Sequence, residues 1–344
     1  MIKKLLIVVA VLSSMVFSSC ETDFDVTADW KDITIVYGLL NQNDSVHYVK
    51  INKAFLGDGD LTQYAQISDS TTYNNTLIVK LQEYSNSNLL IREIPLDTTT
   101  IYNKEEGVFN YPEQIVYTTG LSNKVFLNEN NTYKLFIQNP VTGKEVTSET
   151  GLIHDFALNK PQLNHPTYPT ITFPNNHSYK YVEWYSAENG KRYQLQIFFK
   201  YLEKEKNSNE VIEKTVVWDD FATKRSENAD GGQLQKIKFL NERFFTFVND
   251  KVPYSDTEKE NNIDYREAIS VNFVITVASN EFDTYMELYK PSNSIVQSNP
   301  DYTNIVNGKG LFASRYTKNR IFGVHPNTQE QLSFLGLHFR MTQQ

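Results

Sequence analysis

The chain has 344 residues, with 33 Lys and Arg against 41 Asp and Glu and a formal net charge of −8 at pH 7. That balance carries no electrostatic footprint for nucleic acid, so no nucleic-acid partner is expected. A single cysteine excludes an internal disulfide, leaving burial and strand pairing to hold the fold.

The first elements are not part of a fold. Met1-Ile2-Lys3-Lys4 is a short basic segment, Leu5 to Leu12 is unbroken apolar sequence, and small residues lead to Cys20. The order is that of a secretory signal, and the apolar run is shorter than the ~20 residues that a spanning helix needs. Ending on a lone cysteine, it resembles a bacterial lipoprotein signal: residues 1–19 are expected to be removed and Cys20 to carry lipid. Phe17 stands where an aliphatic residue is usual. The acidic cluster Glu21, Asp23 and Asp25 resembles the surface-export signal of Bacteroidota-type lipoproteins. Residues 20–30 then read as a tether, and the expected location is the outer membrane, lipid-anchored and facing the cell exterior.

From residue 31 the pattern turns to strands. The 21 Tyr and 21 Phe suit pleated, half-buried surfaces, and a chain of this length exceeds one ordinary core. Ile33 to Leu40 alternates, and after the polar Asn41-Gln42-Asn43-Asp44 a second run, Val46 to Phe55, completes a hairpin. Its register is open, because Val46, Tyr48 (or Val49) and Ile51 compete for the core face. Leu77, Val79 and Leu81 face one side of the next strand, which turns at Asn86-Ser87-Asn88 into Leu89–Leu96. Further strands are expected at 114–118, 125–127, 132–137 and 146–150. Short strands with turn signals between them predict an antiparallel β-sandwich over residues 31–155.

Pro161, Pro166, Pro169 and Pro174 mark residues 156–178 as a linker. Beyond it, residues 179–344 form a second β-rich unit. A strand centred on Trp184, the Asn189-Gly190 turn and the strand Tyr193-x-Leu195-x-Ile197 resemble the central hairpin of a fibronectin type III-like sandwich. Leu234, Ile237 and Leu240 recur at a spacing of three and suggest a helix within 234–248. Ala268 to Val277 is a strand. Asn280 to Lys290 is the best helix, capped by Asn280, with Phe282, Tyr285, Met286 and Tyr289 on one face and Pro291 ending it. The expected fold class is therefore mostly β, with Ig-like or fibronectin III-like sandwiches and a short helix late in the chain.

Reactive chemistry is sparse. The six His form no metal-ligand spacing, no second Cys completes a zinc site, and no Gly-x-Ser-x-Gly elbow occurs. Asp58-Gly59-Asp60 lacks the distal Glu of a calcium loop. No catalytic residue, metal or cofactor is expected. Trp218 with Asp219 and Asp220 is a candidate ligand contact, an aromatic plane beside acceptors for sugar hydroxyls. Ser45, Ser70 and Thr98 follow aspartates in a pattern like that of O-glycosylation in this bacterial group.

Tyr37-Gly38-Leu39-Leu40, Val49 with Ile51, the Trp184 region and Asn304 to Phe312 (Asn-Ile-Val-Asn-Gly-Lys-Gly-Leu-Phe) together look like an uncharacterised family of Bacteroidota outer-membrane lipoproteins, a domain of unknown function. Members of that family often accompany TonB-dependent transporters. The resemblance implies an Ig-like amino-terminal sandwich, a second β-rich domain, a β-barrel transporter as partner and a binding or accessory role, with a glycan or peptide as ligand. A surface hydrolase of glycans or peptides, or an adhesin, is the alternative.

Overall fold

A computed structural model describes residues 33–54, 67, 71–73, 75–107, 111–120, 122, 124–290 and 302–342, the side chains of 220–222 excepted. Cys20, Glu21, Asp23, Asp25, Ser70 and the loop 58–60 lie outside the described residues. The protein is mostly β, 49% strand against 12% helix. The first seven strands are β1 (Ile33–Leu40), β2 (Tyr48–Ala54), β3 (Ile78–Tyr84), β4 (Leu90–Ile101), β5 (Gln114–Thr118), β6 (Thr132–Gln138) and β7 (Glu145–Gly151). They make two facing sheets because β4 changes partners along its length. Leu90 to Leu96 pairs with β3, and Asp97 to Ile101 pairs with β5. Between the sheets, Val36, Leu40, Val49 and Ile51 meet Val79, Leu81, Leu135 and Ile137 in a dry core. The period-two burial of β1 and β3 drives this packing. It also settles the open register of β2, with Val49 and Ile51 inside and Tyr48 outside.

The chain continues through β8 (Leu158–Lys160), β9 (Thr170–Ile171), β10 (Tyr179–Tyr185), β11 (Arg192–Glu205), β12 (Val211–Arg225), β13 (Leu234–Leu240), α1 (Glu242–Lys251), α2 (Thr257–Asn261), β14 (Ile263–Ala278), α3 (Asn280–Leu288), β15 (Gly308–Val324), α4 (Pro326–Ser333) and β16 (Phe339–Arg340). A three-stranded sheet, β13-β10-β8, faces the sheet β12-β11-β14-β15. Trp184, Val182 and Phe239 from the small sheet pack on Tyr193, Ile197, Phe199 and Phe273 from the large one. The proline-rich stretch read as a linker carries β8 and β9, and it buries Phe156, Leu158, Ile171 and Phe173 in this second core.

One strand joins the two sandwiches. Gly308 to Ser314 runs parallel to β1, and Arg315 to Gly323 then runs antiparallel to β14. The motif around Asn304 makes that splice. Its side-chain amide donates to the Phe312 carbonyl (2.6 Å), and its Oδ1 accepts from the Phe312 amide (3.0 Å). Ile305 and Phe312 are thereby buried in the first core, far from their neighbours in sequence. Gly310 sits at φ +109°, with Val36 O only 2.1 Å from where a Cβ would stand. No other residue type fits so close an approach.

Four expectations are corrected. β10 and β11 are not a hairpin: β10 pairs with β13 and β8, and β11 pairs with β12 and β14. Asn189-Gly190 turns the chain between opposite sheets, so Trp184 and Tyr193 meet across the core with ring centroids 5.8 Å apart. The Tyr193 hydroxyl accepts from the Ala187 amide (2.7 Å), the local bond of a tyrosine corner. Residues 234–240 form a strand, because pairing with β10 sets a period of two that buries Gln235, Ile237 and Phe239, and the helix starts only at Glu242. Residues 125–127 are not a strand; Val125 is held by Ser45 O and by the His47 ring instead. The N-cap position of helix α3 is Ser279 rather than Asn280, without a side-chain capping bond, and its buried side chain is Asp283, not an aromatic.

A candidate binding cleft between the first sandwich and helix α3

Alternation along β1 turns Tyr37 and Leu39 away from the first core, and β2 adds Tyr48 beside them. Helix α3 faces this surface with Phe282 and Tyr285, three residues apart and so on one side of the helix. Together they wall a cleft of about 390 Å³. Tyr37 and Tyr285 meet edge to face, with centroids 6.2 Å apart and interplanar angle 77°, and their hydroxyls are 3.3 Å apart.

Helix α3 is held there by charge. It lies on the outer face of the large sheet, above Arg192 and Arg225. The Arg192 guanidinium bonds both Asp283 and Glu287, and Arg225 reaches Asp283 Oδ1 with two nitrogens (3.1 and 3.0 Å). Lys290, with Arg192 and Arg225 behind it, holds the Glu287 carboxyl down to about 2. The buried Asp283 explains the aromatic face. With the polar side of the helix turned inward onto arginines, Phe282 and Tyr285 are left for the cleft.

Among the described residues, one cation lines the cleft. Arg315 is exposed, on the splice strand β15, and its side chain makes no ion pair or hydrogen bond among the described residues. The carboxylate in the lining is Asp44, which accepts from the Asn41 side chain (3.1 Å). His47 is 3% exposed with Nε2 2.9 Å from the Val125 carbonyl, and burial lowers its pKa, keeping the ring neutral at pH 7. Aromatic walls, an unpartnered guanidinium and a neutral imidazole suit the capture of a ligand with an apolar body and an anionic group. The lining holds no second carboxylate to pair with Asp44 for acid–base work. No group of three or more His, Cys, Asp or Glu able to hold a metal occurs among the described residues.

The residues singled out from sequence lie elsewhere. Trp218 is 9% exposed in the second core, stacked on Phe247 (5.1 Å, 10°) with the Arg243 guanidinium also over its ring (5.4 Å). Asp219 is exposed beside it, and the Asp220 side chain is outside the described residues. Ser45 is half-buried in the β1–β2 connection. Thr98 lies within β4, its hydroxyl donating to Asn75 Oδ1 (2.9 Å). The cleft was missed because its walls come from residues 37–48, 282–285 and 311–315, which only the splice strand brings together. The outward alternation of Tyr37 and Leu39 was the available signal.

No protein-family profile matches the chain, and neither does any curated protein. Among solved structures, it is similar to the C-terminal globular domain of oligosaccharyltransferase from Pyrococcus abyssi, at 11% sequence identity and a TM-score of 0.18, over 86% of this chain and 49% of that one. The chain thus spans about half of that structure, and a likeness this loose carries no argument.

Proposed function

We propose that this protein is a lipid-anchored, outer-membrane surface protein that acts as a binding or accessory subunit of a TonB-dependent uptake complex, of the lipoprotein family that its motifs resemble. The cleft carries the reading: exposed Tyr37 and Tyr48, with Phe282, Tyr285 and an unpartnered Arg315, are equipped to hold a ligand and lack a reacting pair. The signal-like residues 1–19 and Cys20 support the anchor, and Glu21, Asp23 and Asp25 support display on the cell exterior. A second surface supports the partner. Leu89, Leu90 and Ile91 are 67%, 50% and 53% exposed at the β3–β4 turn. Phe126, 61% exposed, is tied to the same strand through its carbonyl, which accepts from Arg92 (2.8 Å). Clustered exposed apolar side chains of this kind mark protein contacts.

The test is a mild-detergent pull-down of the tagged full chain from native membranes. The expected eluate contains a stoichiometric β-barrel transporter, and Leu90→Asp/Phe126→Asp loses it while keeping the wild-type Tm. A chain that elutes alone contradicts the accessory-subunit reading.

A further inference from the structure

A third surface, on the opposite side of the second sandwich from α3, has a chemistry of its own. In β10 the residues Val182 and Trp184 enter the core, so Tyr179, Tyr181, Glu183 and Tyr185 point outward. Antiparallel pairing sets Tyr181 opposite Lys238 and Glu183 opposite Lys236 on β13. Lys160 on β8 closes the other side of Glu183, so this carboxylate is bracketed by two ammonium groups, at 3.0 and 3.1 Å. The lysines are also propped on the rings: Lys236 stands 4.3 Å over Tyr181, and Lys238 stands 4.8 Å over Tyr179. A shallow concavity of about 540 Å³ opens here, lined by Tyr181, Lys224, Lys236, Ile237 and Lys238, with no carboxylate in its wall. Lys224 and Lys238 make no ion pair among the described residues.

We infer that this lysine–tyrosine face binds an extended anionic glycan, one bearing a carboxylate or sulfate on successive sugars. Gathering unneutralised cations on a chain of net charge −8 is a local reversal of its field. An anionic ligand complements that reversal. Lys236 and Lys238 are two residues apart on one strand, hence about 7 Å apart at the backbone, a row that an extended polymer can follow. The tyrosine rings hold the ammonium groups upright, reducing the side-chain entropy lost on binding. Because the rings are already covered by ammonium groups, they are poor platforms for stacking bases, and the acidic remainder of the chain repels the dense charge of a nucleic acid or an anionic bilayer. A glycan with one charge per sugar engages the row alone.

The test uses the full chain in mild detergent with four probes: polygalacturonate oligomers, dextran sulfate, neutral dextran, and phosphatidylcholine vesicles containing phosphatidylglycerol. Salt-sensitive binding to polygalacturonate or dextran sulfate, absent for neutral dextran, is the expected result. Lys224→Gln/Lys238→Gln leaves both Glu183 ion pairs in place and is expected to weaken that binding by about tenfold or more at an unchanged Tm. Adding Lys236→Gln is expected to abolish it. Unchanged affinity in the double variant, binding to the vesicles alone, or no preference for charged over neutral glycan would each overturn the assignment.

Discussion

Gly310→Ala is expected to part the two sandwiches. The new methyl group would stand 2.1 Å from Val36 O, and the backbone at φ +109° is one that side chains rarely adopt. The atom in the way is main chain inside a parallel ladder, so no side-chain rotation relieves it. Strain and clash together are expected to cost on the order of 3 kcal/mol or more, lowering Tm and raising hydrogen exchange over Thr34–Leu40, the partners of β15. Gly143→Ala is the control. Its φ of +72° is also unusual, but nothing lies within 4 Å, and its cost is expected to stay near 1 kcal/mol. Equal Tm shifts in the two variants would mean that the splice at Gly310 is not the joint described.

Arg266→Leu is expected to be the most damaging change in the second sandwich. The side chain is fully buried and is held on three sides. Its Nε donates to Glu203 Oε2 (2.8 Å), its two terminal nitrogens clasp Glu260 (2.7 and 2.8 Å), and Nη1 also reaches the Leu337 carbonyl (3.0 Å). Glu203, 2% exposed, is further held by Lys214 (2.6 Å) and by the Tyr254 hydroxyl (2.8 Å). Removing the arginine takes the guanidinium from both Glu203 and Glu260, and breaking a buried pair typically costs about 3–5 kcal/mol, here reduced by what Lys214 and Tyr254 still give Glu203. Burial by itself would push the Glu203 and Glu260 pKa values up; the bonds from Lys214 and Arg266 to Glu203, and from Arg266 to Glu260, outweigh it, and both are lowered. A lowered folded-state carboxylate stabilises fully above its unfolded value, about 4.3, and the gain is lost as pH falls through the folded value. The wild type should therefore hold this contribution in full above about pH 4.3 and lose it progressively as pH falls from there towards the lowered folded-state values. Arg266→Leu should move the acid-unfolding midpoint upward, read by circular dichroism against pH. An unshifted midpoint would show that the network contributes no pH-linked stability.

Much of the first sandwich could be read from alternation alone. Leu77, Val79 and Leu81 are buried on one side of their strand and Ile78 is 43% exposed on the other, as a period of two requires. Helix α3 was also legible from its spacing and from Pro291 beyond its end, though the cap lies one residue earlier than Asn280. What local pattern could not supply was the partner of each face. Phe282 and Tyr285 read as one face of a helix, and the spacing does not say what that face meets. Here Asp283, Arg192 and Arg225 take the inward side, and nothing near residue 283 announces arginines from β11 and β12. The Trp184 and Tyr193 strands likewise had the residues of a hairpin, yet packing the two large rings across a core required the strands to lie in opposite sheets. The Asn304–Phe312 motif was visible as a motif. Its purpose, a strand lent to a sheet formed more than 250 positions earlier, depends on contacts that sequence order hides.

The cleft beside α3 is proposed to bind a ligand without turning it over. The measurement that decides this is a glycan and peptide array, read with the Lys224→Gln/Lys236→Gln/Lys238→Gln chain so that the lysine face is silent, and repeated with Tyr37→Ala and Arg315→Ala added. The predicted result is a small set of ligands that bind the first chain, lose binding with the second at an unchanged Tm, and are recovered chemically intact. Ligands cleaved on the array, or binding that survives both added substitutions, would contradict it.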